Sequence, residues 1–391
     1  MKRAIVFALT AVLSVSISPA SAAPISAGAA CKKLGQKITQ SGSTYICQKS
    51  GRKQIWKKSS ALPLSPPASQ TPKPSLTPES KTTPSIPAAP TSFDDLIQNY
   101  KGIAFAAWSK SRDVINKSES SNISIQMVVG PNTQVTLKDS TVPIKQLTRL
   151  FPGYVQPAEI FFIAFNFQDR AWATDQMESL IPNAGSRWVS DMACKTVATC
   201  WGGGAFANGK GRYLIIEAMG YLDNNHTSGS LEAHEFTHIM QQMNMNAARA
   251  PEEFLYDPWP PTWYWEGQAQ FAQHAAIYSN SFETYMRERI ETGRGLYANP
   301  AVDLSFVQNY FVFNAPKDWQ DKYDRGLQYH LGAMFIEILV ALKGPESTME
   351  LWKQVGNGAS FRSAFENIYG IAFDSALPIM AKAMTLQITE A

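Results

Sequence analysis

Two histidines stand four residues apart, with a glutamate beside the first, in the run His234-Glu235-Phe236-Thr237-His238. Ser230 is placed to cap a helix running on through Met240. Helical positions four apart differ by about 40° in azimuth and about 6 Å in height. Both imidazoles then project from one face and can bite a single metal ion. Zinc suits such a pair, because it takes imidazole nitrogen, has no redox chemistry and leaves a position open for water. Glu235 can reach a water on that ion, take its proton and pass it to a leaving amine. The chemistry on offer is metal-assisted hydrolysis. Two partly buried histidines on an ordinary amphipathic helix would give the same pattern, so the motif needs company.

That company comes 28 positions beyond His238, where Trp263-Tyr264-Trp265-Glu266-Gly267-Gln268-Ala269-Gln270-Phe271 reads as the start of a second helix. An HExxH helix followed by a WxxEGxAxF helix resembles the gluzincins, zinc metallopeptidases with a glutamate ligand on the next helix. It looks especially like their bacterial peptidase MA-like group. The resemblance covers roughly residues 210–380 and rests mainly on the two motifs. It implies a zinc peptidase with His234, His238 and Glu266 as metal ligands and Glu235 as general base. It also implies an α+β, zincin-like fold, with a small α/β N-terminal lobe and a mainly helical C-terminal lobe. The plain alternative for Glu266 is a solvated acid favoured by the start of a helix. Other zincin spacings fail: Asn244 stands where a third histidine would fall, and Gln241 where a glycine would.

Many gluzincins carry an acid four residues after the glutamate ligand; here that position is Gln270. Its amide oxygen can accept an N–H from His234 or His238 without charge, or it is a plain surface residue. An oxyanion donor is expected opposite Glu235. The run Tyr323-Asp324-Arg325-Gly326-Leu327-Gln328-Tyr329-His330-Leu331-Gly332 resembles the family's later helix, with Tyr329 as first choice and His330 as second. An aromatic core position explains Tyr329 equally well, and Tyr323 and Arg325 are candidate substrate contacts. His226, in a polar turn-like stretch, reads as solvent-exposed. His274 lies off the face of Glu266, and neither histidine is assigned to the metal. Tyr213 to Met219 reads as a strand lining the cleft, an edge on which an extended peptide pairs in related zincins. The met-rich turn Met240, Met243 and Met245 reads as packing.

The elements around these residues follow from pattern. Lys2, Arg3, the apolar run Ala4–Ile17 and Ala20-Ser21-Ala22 read as a signal peptide over 1–22. No later stretch is long and apolar enough to span a bilayer. Cys31/Cys47 and Cys194/Cys200 form two local pairs, read as disulfides in an exported chain. Residues 29–58 make a small basic two-cysteine module, with eight Lys or Arg between Cys31 and Lys58 and no acid. After Pro90 there are 23 basic against 31 acidic residues, so the charge asymmetry between the parts is strong. Such a module fits an anionic surface such as a cell-wall polymer, or is a soluble stub; nothing points to nucleic acid. Residues 59–91 are a Pro/Ser/Thr-rich tether. Residues 92–391 hold the catalytic body.

Within that body we expect a helix over Phe93–Asn116 capped by Ser92, a strand over Ile123–Val129 and a helix over Val142–Phe151. A buried strand over Glu159–Phe165 follows, then a helix around Arg170–Met177. A loop-rich stretch should carry the second cysteine pair and Gly202-Gly203-Gly204, with the cysteines pinning a loop or shaping the cleft rim. Helices dominate from Ser230 onward. Two functions remain open at this point: an active secreted zinc peptidase, or a catalytically weak metallopeptidase fold used for binding at the cell surface.

Overall fold

The computed structural model describes residues 26–58, without 27, 35, 41, 42 and 52, and residues 86–390, without 136, 138, 183–186, 209, 210, 246–259 and 313–322. The signal read over 1–22 lies outside the described residues, as does the tether up to residue 85. The chain divides into two units, one ending at Lys81 and one beginning at Thr82. In the first, β1 (Lys37–Gln40), β2 (Ser43–Ser50) and β3 (Lys53–Lys58) form an antiparallel sheet in that order. Cys47 and Trp56 face each other across β2 and β3, and both are buried. So small an apolar centre needs a covalent staple. The Cys31–Cys47 disulfide supplies it, while the Ala29 carbonyl accepts the Trp56 N–H and lays the preceding segment along β3.

The second unit does not begin with the helix expected from Phe93. Asp95 gathers the backbone N–H groups of Thr91 and Ser92, and the side chain of Asn99, onto its own carboxylate. That local alternative folds residues 92–99 into turns. The helix α1 spans Ile103–Lys117 instead. Then come β4 (Ser124–Val129), α2 (Thr141–Thr148), β5 (Glu159–Phe165), α3 (Arg170–Leu180), β6 (Trp201–Ala207) and β7 (Tyr213–Met219). The sheet order is β4-β5-β7-β6, with the first three strands parallel and β6 antiparallel.

Strands buried on both faces read as continuous apolar runs, and β5 and β7 do so. Ile160, Phe162, Ala164, Ile215 and Met219 join the large core; Phe161, Ile163, Phe165, Leu214 and Ile216 join a smaller one under α3. The Cys194–Cys200 disulfide closes that smaller core. Two expectations are corrected here. Gly202–Gly204 are not loop but part of β6. Consequently β7 is an interior strand, and β6 is the sheet edge on that side.

Helices fill the rest: α4 (Asn224–Ser228), α5 (Ser230–Asn244), α6 (Thr262–Ile277), α7 (Phe282–Thr292), α8 (Arg294–Tyr297) and α9 (Leu304–Val312). They continue as α10 (Leu327–Lys343), α11 (Glu346–Gly356), α12 (Phe361–Tyr369) and α13 (Phe373–Thr389). The mixed α and β content expected from pattern is present, and no described helix is long and apolar enough to cross a membrane. Met240 and Met245 are buried in the core, and Met243 packs against it. Trp263 sits at the centre of an aromatic cluster with Phe311, Phe335, Phe361 and Phe373. A buried ion pair, Arg289 Nη2 to Glu337 Oε2 at 2.7 Å, ties α7 to α10.

The crossing of α6 and α10 is set by two glycines. A Cβ on Gly332 would lie 2.2 Å from the Trp263 carbonyl oxygen, and one on Gly267 2.2 Å from the Gly332 carbonyl carbon. Only hydrogen fits at either position. This contact brings the residue before Gly267, which is Glu266, near the turn of α10 that carries Tyr329. Gly332→Val should therefore lower stability by about 1–3 kcal/mol through overpacking. Thermal unfolding measures it, with Gly295→Ala as control, because a Cβ at Gly295 meets nothing within 4 Å.

Candidate metal centre

Helix α5 is not capped by Ser230: Gly229 occupies the N-cap position, and the Ser228 hydroxyl donates to the Ser230 hydroxyl. The helix is buried along nearly its whole length between the sheet and the helical half. His234 and His238 turn the same way, their ring centroids 4.8 Å apart. Helix α6 presents Glu266 to both. His234 Nε2 and His238 Nε2 are 3.1 Å apart, and each lies 3.2 Å from Glu266 Oε2.

The proton on each imidazole can be placed from its neighbours. The Trp352 indole N–H can only donate, and it donates to Gln268 Oε1. Gln241 Nε2 donates to the same oxygen at 2.9 Å and to the Trp265 carbonyl at 2.9 Å. Gln241 Oε1 is thereby left as the acceptor facing His238 Nδ1 at 2.8 Å. His238 therefore donates from Nδ1 to Gln241, and its Nε2 faces the cluster. His234 Nδ1 meets Gln273 Oε1 at 2.8 Å, with Gln273 Nε2 reaching towards Asn225 Oδ1, and the same assignment follows. Trp265 stacks flat on the His238 ring, centroids 4.6 Å apart, and holds it from the other side.

Two imidazole Nε2 atoms and a carboxylate oxygen thus converge on one point, an arrangement that suits a bound cation. A tetrahedral zinc ion with bonds of about 2.0 Å spaces its ligand atoms by about 3.3 Å. The observed spacings fit. The three residues are the His/Cys/Asp/Glu group among the described residues whose ligand atoms converge closely enough to hold an ion. Burial alone would raise the Glu266 carboxyl. Charge and hydrogen bonds from His238 and His234 instead hold it below the usual carboxylate range.

Gln270 fits neither of its two readings: it is buried rather than on the surface, and its amide lies 3.3 Å from His274 Nε2 rather than on His234 or His238. Gln241 and Gln273 orient the ligands instead, one three residues after His238 and one seven after Glu266. Glu235 is buried, and it lies against β6: a Cβ on Gly203 would sit 2.8 Å from its Cγ and 2.8 Å from its Oε1. Burial pushes the Glu235 carboxyl up to about 7, against the pull of His234 and with the push of Glu266.

Two further acids, absent from the sequence reading, lie near it. Glu217, paired with Gly203 across β6 and β7, and Glu232 on α5 are both buried. Burial, with Glu232 and Glu235 close by, drives Glu217 well above the usual range. An acid within the otherwise apolar run of β7 was the signal that could have found it.

Tyr329 reaches the centre, its ring centroid 5.9 Å from that of His234. Burial, then the Glu266 charge, raises its hydroxyl above the ordinary phenol range, so it remains a donor. His330 does not join; it lines a small cavity with Gln270, His274 and Arg289. Tyr323 packs its ring against Phe306 and Tyr310, while Arg325 is exposed. His226 is not the exposed residue its polar surroundings suggested: it is buried, with Nδ1 2.8 Å from Asp223 Oδ1. Asp223 caps α4 through the N–H groups of Asn225 and His226, which pulls the ring inward. His274 is buried too, and burial first of all pushes its pKa down to about 3.

Comparison with protein-family models, with curated proteins and with solved structures returned no match. Replacing Gln241 or Gln273 by leucine should release one imidazole from its orientation and weaken zinc binding about 10–100-fold. Competition against a chromophoric chelator measures that loss.

Proposed function

We propose that this chain is an exported zinc metallopeptidase of the gluzincin type, with His234, His238 and Glu266 as metal ligands. The observation that carries the reading is the convergence of three potential ligand atoms at 3.1–3.2 Å, with Glu235 adjacent on the same helix. The two disulfides support export, since such bonds persist in oxidising compartments.

Zinc bound there supplies a Lewis acid that polarises the scissile carbonyl and makes a water acidic near neutral pH. Glu235, buried and facing the same space, accepts the proton of the attacking water and returns it to the leaving amine. The Tyr329 hydroxyl is the donor placed to meet the developing oxyanion. The substrate backbone is taken up by β6. The Cys200 carbonyl accepts the Gly220 N–H, and the Arg212 carbonyl accepts the Asn208 N–H. Bonding alternates along an antiparallel pair, so the even-numbered residues of β6 pair with β7. Trp201, Gly203 and Ala205 then turn their N–H and C=O outward, free to pair with an extended peptide beside Glu235.

Neutral glutamines in place of acids make the ligand imidazoles weaker donors, which favours a second reading, a metal-holding fold with little turnover. Glu235→Gln decides between them. The peptidase reading expects one equivalent of zinc in both proteins, with turnover of casein or a peptide library lost by at least a hundredfold in the variant. One equivalent of zinc with no turnover by the wild type on any substrate supports the second. A Gly203→Ala variant should also keep its zinc but lose kcat, because the added methyl displaces Glu235; kinetics with metal analysis tests this.

The small module is proposed to hold the enzyme on an anionic cell-wall polymer through its exposed Lys32, Lys33, Lys49, Lys53, Lys57 and Lys58. Removing residues 29–58 should reduce retention on such a polymer at low salt, where unscreened charge dominates. Unchanged retention refutes it.

A further inference from the structure

Trp201, the first residue of the edge strand β6, is 45% exposed, which is unusual for so large an apolar side chain. It is nevertheless fixed. Its indole N–H donates to Asp223 Oδ2 at 3.2 Å, and its ring meets the His226 ring edge-on, centroids 6.0 Å apart. Asp223 in turn holds His226 and caps α4, so this anchor belongs to the scaffold rather than to a loop.

Its position relative to the metal centre follows from the strand. Gly203 faces Glu235, whereas a Cβ on Gly204 would meet Phe206 and Trp188 on the opposite face of the sheet. The odd-numbered residues of β6 thus look towards α5, and Ala205 and Ala207 pack against the core on that side. Trp201 pairs with Met219 of β7, whose side chain joins the large core on that side, and its ring meets His226 of α4, the helix that leads into α5. Alternate residues of a strand lie about 7 Å apart. An exposed, preset aromatic ring therefore stands about 7 Å along the free edge from the glycine that abuts the general base.

We propose that Trp201 is a specificity-determining residue, forming an aromatic subsite for one apolar side chain of an extended peptide substrate. The inference rests on the reading of β6 as the strand that takes up substrate. A residue paired opposite Trp201 has its Cβ about 5 Å away on the same face, in reach of the indole. Phenylalanine, tyrosine, leucine and isoleucine fill that space; glycine, serine and acidic residues leave the ring wet. The residue opposite Gly203 is two positions away, so the preference falls at a fixed distance from the cleaved bond. A sugar ring could also stack on an exposed indole. The outward backbone groups of Trp201, Gly203 and Ala205 repeat at peptide spacing, however, and favour the peptide.

The test is cleavage of a random peptide library, with sites mapped by mass spectrometry, by zinc-loaded wild type, Trp201→Ala and Trp201→Phe. The wild type should enrich aromatic or branched apolar residues at one fixed position. Trp201→Ala should lose that enrichment and about fivefold in kcat/KM on a peptide with phenylalanine there. The ratio of kcat/KM on that peptide to kcat/KM on the same peptide with glycine should fall in Trp201→Ala, while Trp201→Phe keeps the ratio and shows the strand intact. Enrichment unchanged in Trp201→Ala overturns the subsite and leaves the peptidase reading standing. No peptide cleaved by the wild type overturns both. Cleavage confined to glycan-bearing substrates, with Trp201→Ala impaired regardless of peptide sequence, overturns the peptide subsite in favour of sugar stacking.

Discussion

Three acceptor atoms aimed at one another cannot coexist in a buried space without positive charge between them. His234 Nε2, His238 Nε2 and Glu266 Oε2 are so arranged, and much of the larger unit exists to keep them there. Helix α5 is held against the sheet by an apolar face; α6 is held against α10 by the Gly267–Gly332 contact. The amides of Gln241 and Gln273 stop the rings from turning away or changing tautomer. A proton or a metal ion can supply that charge, and the close convergence of the three atoms suits an ion.

The candidate metal motif was legible because its residues are neighbours on regular elements. His234, Glu235 and His238 need only helical periodicity to share a face, and the second motif supplied Glu266. The run Glu159–Phe165 was equally plain, since a strand buried on both faces must be apolar throughout. Shorter signals misled. Ser92 looked like a helix cap, yet Asp95 captured the local N–H groups first. Ser230 looked like another, and Gly229 took the position. His226 sat among polar residues, but the cap made by Asp223 folded it inward.

What could not be read was set by contacts distant in sequence. Three consecutive glycines suggest a loop, yet a glycine is what a strand needs where a side chain presses against it, as Glu235 does at Gly203. That misjudgement also moved the sheet edge from β6 to β7. Gln273 is unremarkable on its own helix and gains its role when α5 lies alongside. Glu217 is an acid in an apolar strand, and only the tertiary packing reveals that Glu232 and Glu235 are its neighbours.

The hydrogen-bond chain from Trp352 through Gln268 and Gln241 to His238 joins the metal centre to a helix 114 residues further along the sequence. A nascent chain that has emerged only through α6 holds all three side chains and the Trp265 carbonyl that orients Gln241, but lacks the indole that fixes Gln268. The full chain of hydrogen bonds behind His238 is therefore completed only when α11 docks. If the three side chains hold an ion as proposed, their grip on it would tighten as the C-terminal helices close.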